Sequence, residues 1–169
     1  MLTTRSHHDG TITSVATYSR CERYRYALAR DWATGSRLLY VMLNPSKATE
    51  QANDPTIERC QRRAVQLGYG GFSVVNLFAW CETSPARLKR AANPIGPDND
   101  AQIALAARGC DAILAAWGVH GDHLDRATQV ANLLLRSGTP LTALGQTKQG
   151  HPRHPLYVPY ATRPEPWPR

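Results

Sequence analysis

The sequence predicts an α/β fold in three layers: a four-stranded, mainly parallel sheet flanked by helices, with an antiparallel hairpin at the N-terminal end. Three observations predict it. Short continuous apolar runs, the mark of strands buried on both faces, alternate with segments whose apolar residues recur every three or four positions. Gly, Pro or a capping residue stands at nearly every junction. The length, 169 residues and 18.7 kDa, is that of one domain with a sizeable core. That domain is placed at residues 1–160, with a Pro-rich tail at 161–169 that reads as extended or frayed.

Thr11 to Ser19 and Arg23 to Arg30 alternate apolar and polar residues around a short polar break, which predicts a hairpin over about 11–30 at the edge of the sheet. Leu38 to Leu43 is a continuous apolar run, the first central strand, and it stops at Asn44-Pro45. Asp54-Pro55 supplies an N-cap and a proline at the first helical position. Ile57, Cys60, Ala64 and Leu67 then mark one helical face before Gly68. Phe72 to Phe78 is the second central strand, Ser84-Pro85 opens a short helix, and Asp98 to Arg108 forms an alanine-rich one. Asp111 to Trp117 is the third strand, broken by Gly118; Leu124, Ala127, Ala131 and Leu134 form the face of the next helix, and Leu141 to Leu144 is a fourth, short strand. Strands separated by helices imply right-handed crossovers and a parallel sheet with helices on both faces.

Lys plus Arg number 20 against 13 Asp plus Glu, giving a net charge of +7 and a pI near 9.6. Only Lys47, Lys89 and Lys148 are lysines, so the basic residues are mostly arginine, the side chain suited to bidentate phosphate contacts. This points to nucleic acid or a nucleotide as partner, and an arginine-rich composition without function reads the same way. No apolar run approaches the ~20 residues that span a bilayer, and Met1 to Gly10 has no apolar core for a signal peptide, so a cytoplasmic protein without membrane contact is expected. The four cysteines, Cys21, Cys60, Cys81 and Cys110, are widely spaced and read as free thiols. Neither His7-His8 nor the His120-Asp122-His123 group has zinc spacing, and neither metal nor cofactor is expected. Oligomeric state is not readable.

Ligands of parallel sheets bind beyond the carboxyl ends of the strands. The segments 44–54, 76–84, 117–122 and 145–157 should therefore converge on one cleft. Asn44-Pro45-Ser46 is an ordinary exit from a strand when taken alone. Asn76 interrupts an apolar strand and needs a partner, either a buried network or a ligand. Trp117-Gly118 fits a core aromatic with a turn glycine, or a stacking wall with close backbone approach. His151 and His154 lie in a Pro-stiffened loop where an imidazole can donate a hydrogen bond or move a proton.

Strand then Asn44-Pro45, strand then Asn76, strand then Trp117-Gly118, and the late loop His151-Pro152-Arg153-His154-Pro155 together resemble the uracil-DNA glycosylase superfamily. The resemblance implies that Asn44 positions an attacking water, Asn76 reads a base edge, and a histidine, His154 rather than His151, stabilises the leaving base. Met42 stands where that superfamily's first motif has glycine. The stretch from about Tyr24 to Tyr160 is also similar to a bacterial and phage family known only as domain of unknown function 1643, which supplies no activity. With Asn44 and His154 as catalytic candidates, the base-binding set is Asn76, Phe78, Trp80, Trp117 and Gly118, and the phosphate-binding set is Ser46, Lys47, Arg59, Arg62, Arg63 and Arg153.

Three functions follow as expectations. The first is a glycosylase-like hydrolase acting on a modified or damaged base in DNA. The second is a non-catalytic nucleic-acid-binding module, and the third a hydrolase or transferase for a nucleoside or nucleotide.

Overall fold

The computed structural model describes residues 1–168. Its strands are β1 (Leu2–Asp9), β2 (Ile12–Ser19), β3 (Arg25–Asp31), β4 (Arg37–Met42), β5 (Gly71–Asn76), β6 (Ala112–Ala115), β7 (Leu141–Ala143) and β8 (Glu165–Pro166). Its α-helices are α1 (Pro55–Gln66), α2 (Pro85–Leu88), α3 (Asn99–Arg108) and α4 (Arg126–Leu135). All eight strands join one mixed sheet in the order β1-β2-β3-β5-β4-β6-β7-β8.

This corrects the expected fold, a four-stranded, mainly parallel, uracil-DNA glycosylase-like sheet. Pairing is parallel for β5-β4, β4-β6 and β6-β7, and antiparallel for β1-β2, β2-β3, β3-β5 and β7-β8. The reason lies in the polar strands. β1 is a full ladder, from Leu2 opposite Ser19 to Asp9 opposite Ile12, yet nearly all its side chains are exposed, so it carries no apolar alternation to announce it. The hairpin is also continuous with the sheet, because Leu28 to Asp31 pair with Gly71 to Val74.

Two cores lie on opposite faces of the sheet. On one, Leu38, Tyr40, Met42, Phe72 and Val74 pack against Ile57, Cys60 and Ala64 of α1. On the other, Leu39, Val41, Val75 and Ile113 meet Ile103 and Ala107 of α3 and Val130 and Leu134 of α4. Asp54 caps α1 by accepting from the Ile57 N–H at 2.9 Å. Leu124, expected on the face of α4, instead precedes that helix with φ 55 and is 52% exposed; buried Arg126 takes the place at its start.

The Pro-rich tail is docked rather than frayed. β8 pairs with β7, the Trp167 N–H donates to Leu141 O at 2.9 Å, and the Trp167 ring stands edge-on to Trp117 at 5.2 Å. Residue 169 lies outside the described residues. No helix among the described residues is long and apolar enough to cross a membrane.

Candidate functional site

At the carboxyl ends of β4 and β6 lies a cleft of about 520 Å³, within the size range of small-molecule sites. Residues from all four loops line it: Asn44 and Ser46, Glu82 and Thr83, Trp117 to His120, and Thr147 to Tyr157 in part. The start of α1 closes one side through Asp54, Thr56 and Ile57.

Asn44 leaves β4 just after Leu43, whose carbonyl still accepts from the Phe78 N–H at 3.0 Å. Its Nδ2 faces three carbonyls, Pro45 O at 3.1 Å, Trp80 O at 3.4 Å and Glu82 O at 2.6 Å. Only an N–H group suits that surrounding, so the amide orientation is fixed and Oδ1 is the acceptor left without a protein partner.

His154 is positioned by a loop tied to two strands. Gly118 N–H donates to Pro152 O at 2.9 Å, Arg153 N–H to Gly145 O at 3.1 Å, and Thr147 N–H to His151 O at 2.8 Å. The Nδ1 of His154 accepts from the Leu156 N–H at 3.3 Å, which places the ring proton on Nε2. Burial holds the imidazole below its usual pKa, with Asp54 opposing, so at neutral pH it is an uncharged Nε2–H donor. His151 is outside the cleft lining, its backbone closing the turn with Thr147.

Of the other expected residues, Ser46, Trp117, Gly118 and Arg153 line the same cleft. Trp117, 2% exposed, forms its back wall, and the exposed Arg153 stands on the His154 loop. Lys47 is exposed outside the lining. Asn76 is buried and does not line the cleft; among the described residues neither its Oδ1 nor its Nδ2 has a partner, and its carbonyl accepts from Asn99 Nδ2 at 3.0 Å. Phe78 is fully buried against His123, and Trp80 stands edge-on to Tyr24 under Arg23.

The arginines of α1 do not reach the cleft. Arg59 donates to Pro155 O and Val158 O, Arg62 pairs with Glu58, and Arg63, 1% exposed, donates to Val158 O, Pro159 O and Thr162 O. Arg59 and Arg63 also cover the Tyr160 ring. They anchor the C-terminal segment.

Among the cleft residues not singled out as site residues in the sequence are Arg25, Asp54, Glu82 and Tyr157. Glu82 is held below the usual carboxylate range by the Ser84 N–H and the Arg87 guanidinium, so it is ionised at neutral pH. Both oxygens of Asp54 accept backbone N–H bonds, from Ile57 and from Ala48. Tyr157, 76% exposed, offers an aromatic face at the rim. No group of His, Cys, Asp and Glu among the described residues could hold a metal ion.

The sequence profile of a family described as "Protein of unknown function (DUF1643)" matches residues 25–156. That span contains every residue lining the cleft except Tyr157. No curated protein and no solved structure matches the chain.

Proposed function

The chain belongs to the DUF1643 family, proteins of unknown function, so its activity has to be argued from the cleft, and we propose that it hydrolyses the N-glycosidic bond of a nucleoside or nucleotide. The observation that carries this reading is the pair Asn44 and His154, each fixed in one orientation and both lining one small cleft.

Breaking an N-glycosidic bond sends its electron pair to the departing base and leaves an oxocarbenium-like sugar. The His154 Nε2–H supplies a hydrogen bond to the base as negative charge builds on it, without changing its own charge. Asn44 Oδ1, an acceptor held in place, orients the water whose oxygen bonds to the sugar carbon. An amide takes no proton, so the water's proton passes to solvent or to the ionised Glu82 carboxylate in the same cleft. That carboxylate also favours positive charge on the sugar. The resemblance of the Asn44-Pro45 and His154-Pro155 segments to motifs of the uracil-DNA glycosylase superfamily points to the same chemistry.

A small substrate is favoured over a base in DNA by the arginines. Arg59 and Arg63 are bonded to carbonyls of their own chain and Arg62 to Glu58, so the helix expected to hold a phosphate backbone is otherwise engaged.

Release of free base from a panel of nucleosides, nucleotides and duplexes carrying modified bases, read by chromatography, tests this. Release from the small substrates, reduced about 100-fold or more in Asn44→Ala and His154→Ala, is expected. Release only from duplex substrates would move the reading to DNA, and none from any would end it.

A further inference from the structure

Arg25 is 3% exposed, yet it forms no ion pair with any carboxylate among the described residues. It lines the cleft. Of its five N–H donors, one on Nη1 bonds to Ala48 O. Nε is buried with no partner. The neighbouring acids are otherwise occupied: Asp54 caps α1 and holds the Ala48 N–H, and Glu50 accepts from the Tyr18 hydroxyl at 2.9 Å. A buried guanidinium whose Nε–H meets no acceptor is costly, and an anion entering from the cleft would satisfy it.

The fold also goes out of its way to aim this side chain. Along β2 and β3, Ala16 faces Leu28 and Thr17 faces Ala27, but Tyr18 faces Arg25, so Tyr26 is an inserted, unpaired residue. Strict alternation from Leu28, which belongs to the α1-side core, would turn Tyr26 to that side and Arg25 away from it. The bulge reverses this parity. Tyr26 instead stacks on Tyr24 at 6.1 Å and packs beside Gly96, while Arg25 takes the side of Tyr18, toward Ala48 and the cleft.

We infer that Arg25 is the seat of a phosphate group in the cleft, with Arg153 as the second cation, so that the ligand is a nucleoside monophosphate rather than a bare nucleoside. The choice of a nucleotide rests on the proposed function; the anion seat rests on Arg25 alone. A planar guanidinium with its Nε–H free suits a bidentate grip on two phosphate oxygens. Tyr157 at the rim gives the base a surface to stack on.

The test is calorimetric titration of the protein with nucleoside 5′-monophosphates, the matching nucleosides and inorganic phosphate, beside Arg25→Gln and Arg25→Lys. The monophosphate should bind roughly 10- to 100-fold more tightly than its nucleoside. Arg25→Gln should abolish that gap, and Arg25→Lys should restore part of it. A gap that survives Arg25→Gln overturns the inference. Because the substitution also removes the bond to Ala48 O, the unmutated protein supplies a second readout, the ¹⁵N–¹H signal of Arg25 Nε. Its movement on adding phosphate or monophosphate supports the seat, and its indifference to both overturns it. If inorganic phosphate moves the signal and no nucleoside or nucleotide binds, the anion seat stands and the N-glycosidic reading falls.

Discussion

Gly118 N–H donates to Pro152 O at 2.9 Å, and an ideal Cβ on Gly118 would lie 3.8 Å from the Cβ of His154. The end of β6 is thereby joined to the loop that carries the imidazole. Gly118 does this at φ 72 and ψ −166, a region that only glycine occupies at ease. There is room for a methyl group, so Gly118→Ala acts through the backbone. It should lower stability by about 1–3 kcal/mol in urea unfolding and reduce base release in step with His154→Ala. An unchanged midpoint would show that the loop junction tolerates another conformation.

Asn44→Asp should be worse than Asn44→Ala. The aspartate would put a carboxylate oxygen against the carbonyls of Pro45, Trp80 and Glu82, where Nδ2 now donates. A loss of about 1–3 kcal/mol is expected from the lost donor alone, before repulsion. Urea midpoints of the two variants at pH 8 decide it; an aspartate variant as stable as the parent would contradict the fixed amide.

Burial lowers the His154 pKa below the ordinary 6.5. Between the folded and unfolded values the unfolded chain binds the extra proton, so stability contributed by His154 is full above pH 6.5 and falls as the pH drops toward the folded pKa. The slope is at most about 1.4 kcal/mol per pH unit. His154→Gln should remove this component, so the difference in unfolding free energy between the two proteins should narrow on acidification below pH 6.5. A constant difference would mean that the imidazole is solvated.

Arg63→Ala and Arg62→Ala should separate sharply although the residues are adjacent. Arg63 is buried and donates to three carbonyls of the C-terminal segment, and charge-assisted bonds contribute about 1.5–3 kcal/mol each when broken singly. Arg62 has an exposed i,i+4 pair with Glu58, which solvent screens and which contributes little to stability. Thermal unfolding of the two variants is the measurement, and equal losses would refute the anchoring role.

Cys21 is exposed, and its thiol is lowered to about 7 by the Ser19 hydroxyl and by the Arg23 backbone and side chain. Burial pushes Cys60, Cys81 and Cys110 up. A chromogenic disulfide reagent at pH 7.5 should therefore find one fast thiol, lost in Cys21→Ser, and slowing as the pH falls below 7. A fast phase that survives the substitution would place the reactive thiol elsewhere.

The elements that sequence reveals are those whose apolar residues keep a period. The run Leu38 to Leu43, the capped face of α1 and the Asn44 and His154 loops were legible because burial on both faces, proline and capping groups leave local marks. β1 was not, because backbone pairing asks nothing of its side chains. β8 was not, because a two-residue strand in a Pro-rich segment has no period. Arg25 was hidden for a different reason: alternation assigns it to one face, and the extra Tyr26 transfers it to the other. Asn76 ends β5 and Phe78 and Trp80 come soon after it, where ligand-reading residues are expected, yet their contacts are with Asn99, His123 and Tyr24.

The contact of Trp167 with Trp117 has a consequence for the protein during its synthesis. Asn44 and Trp117 are translated well before His154, which lines the same cleft, and Trp167, which packs on Trp117. The cleft is therefore completed only when the segment after Gly145 folds back against strands already in place.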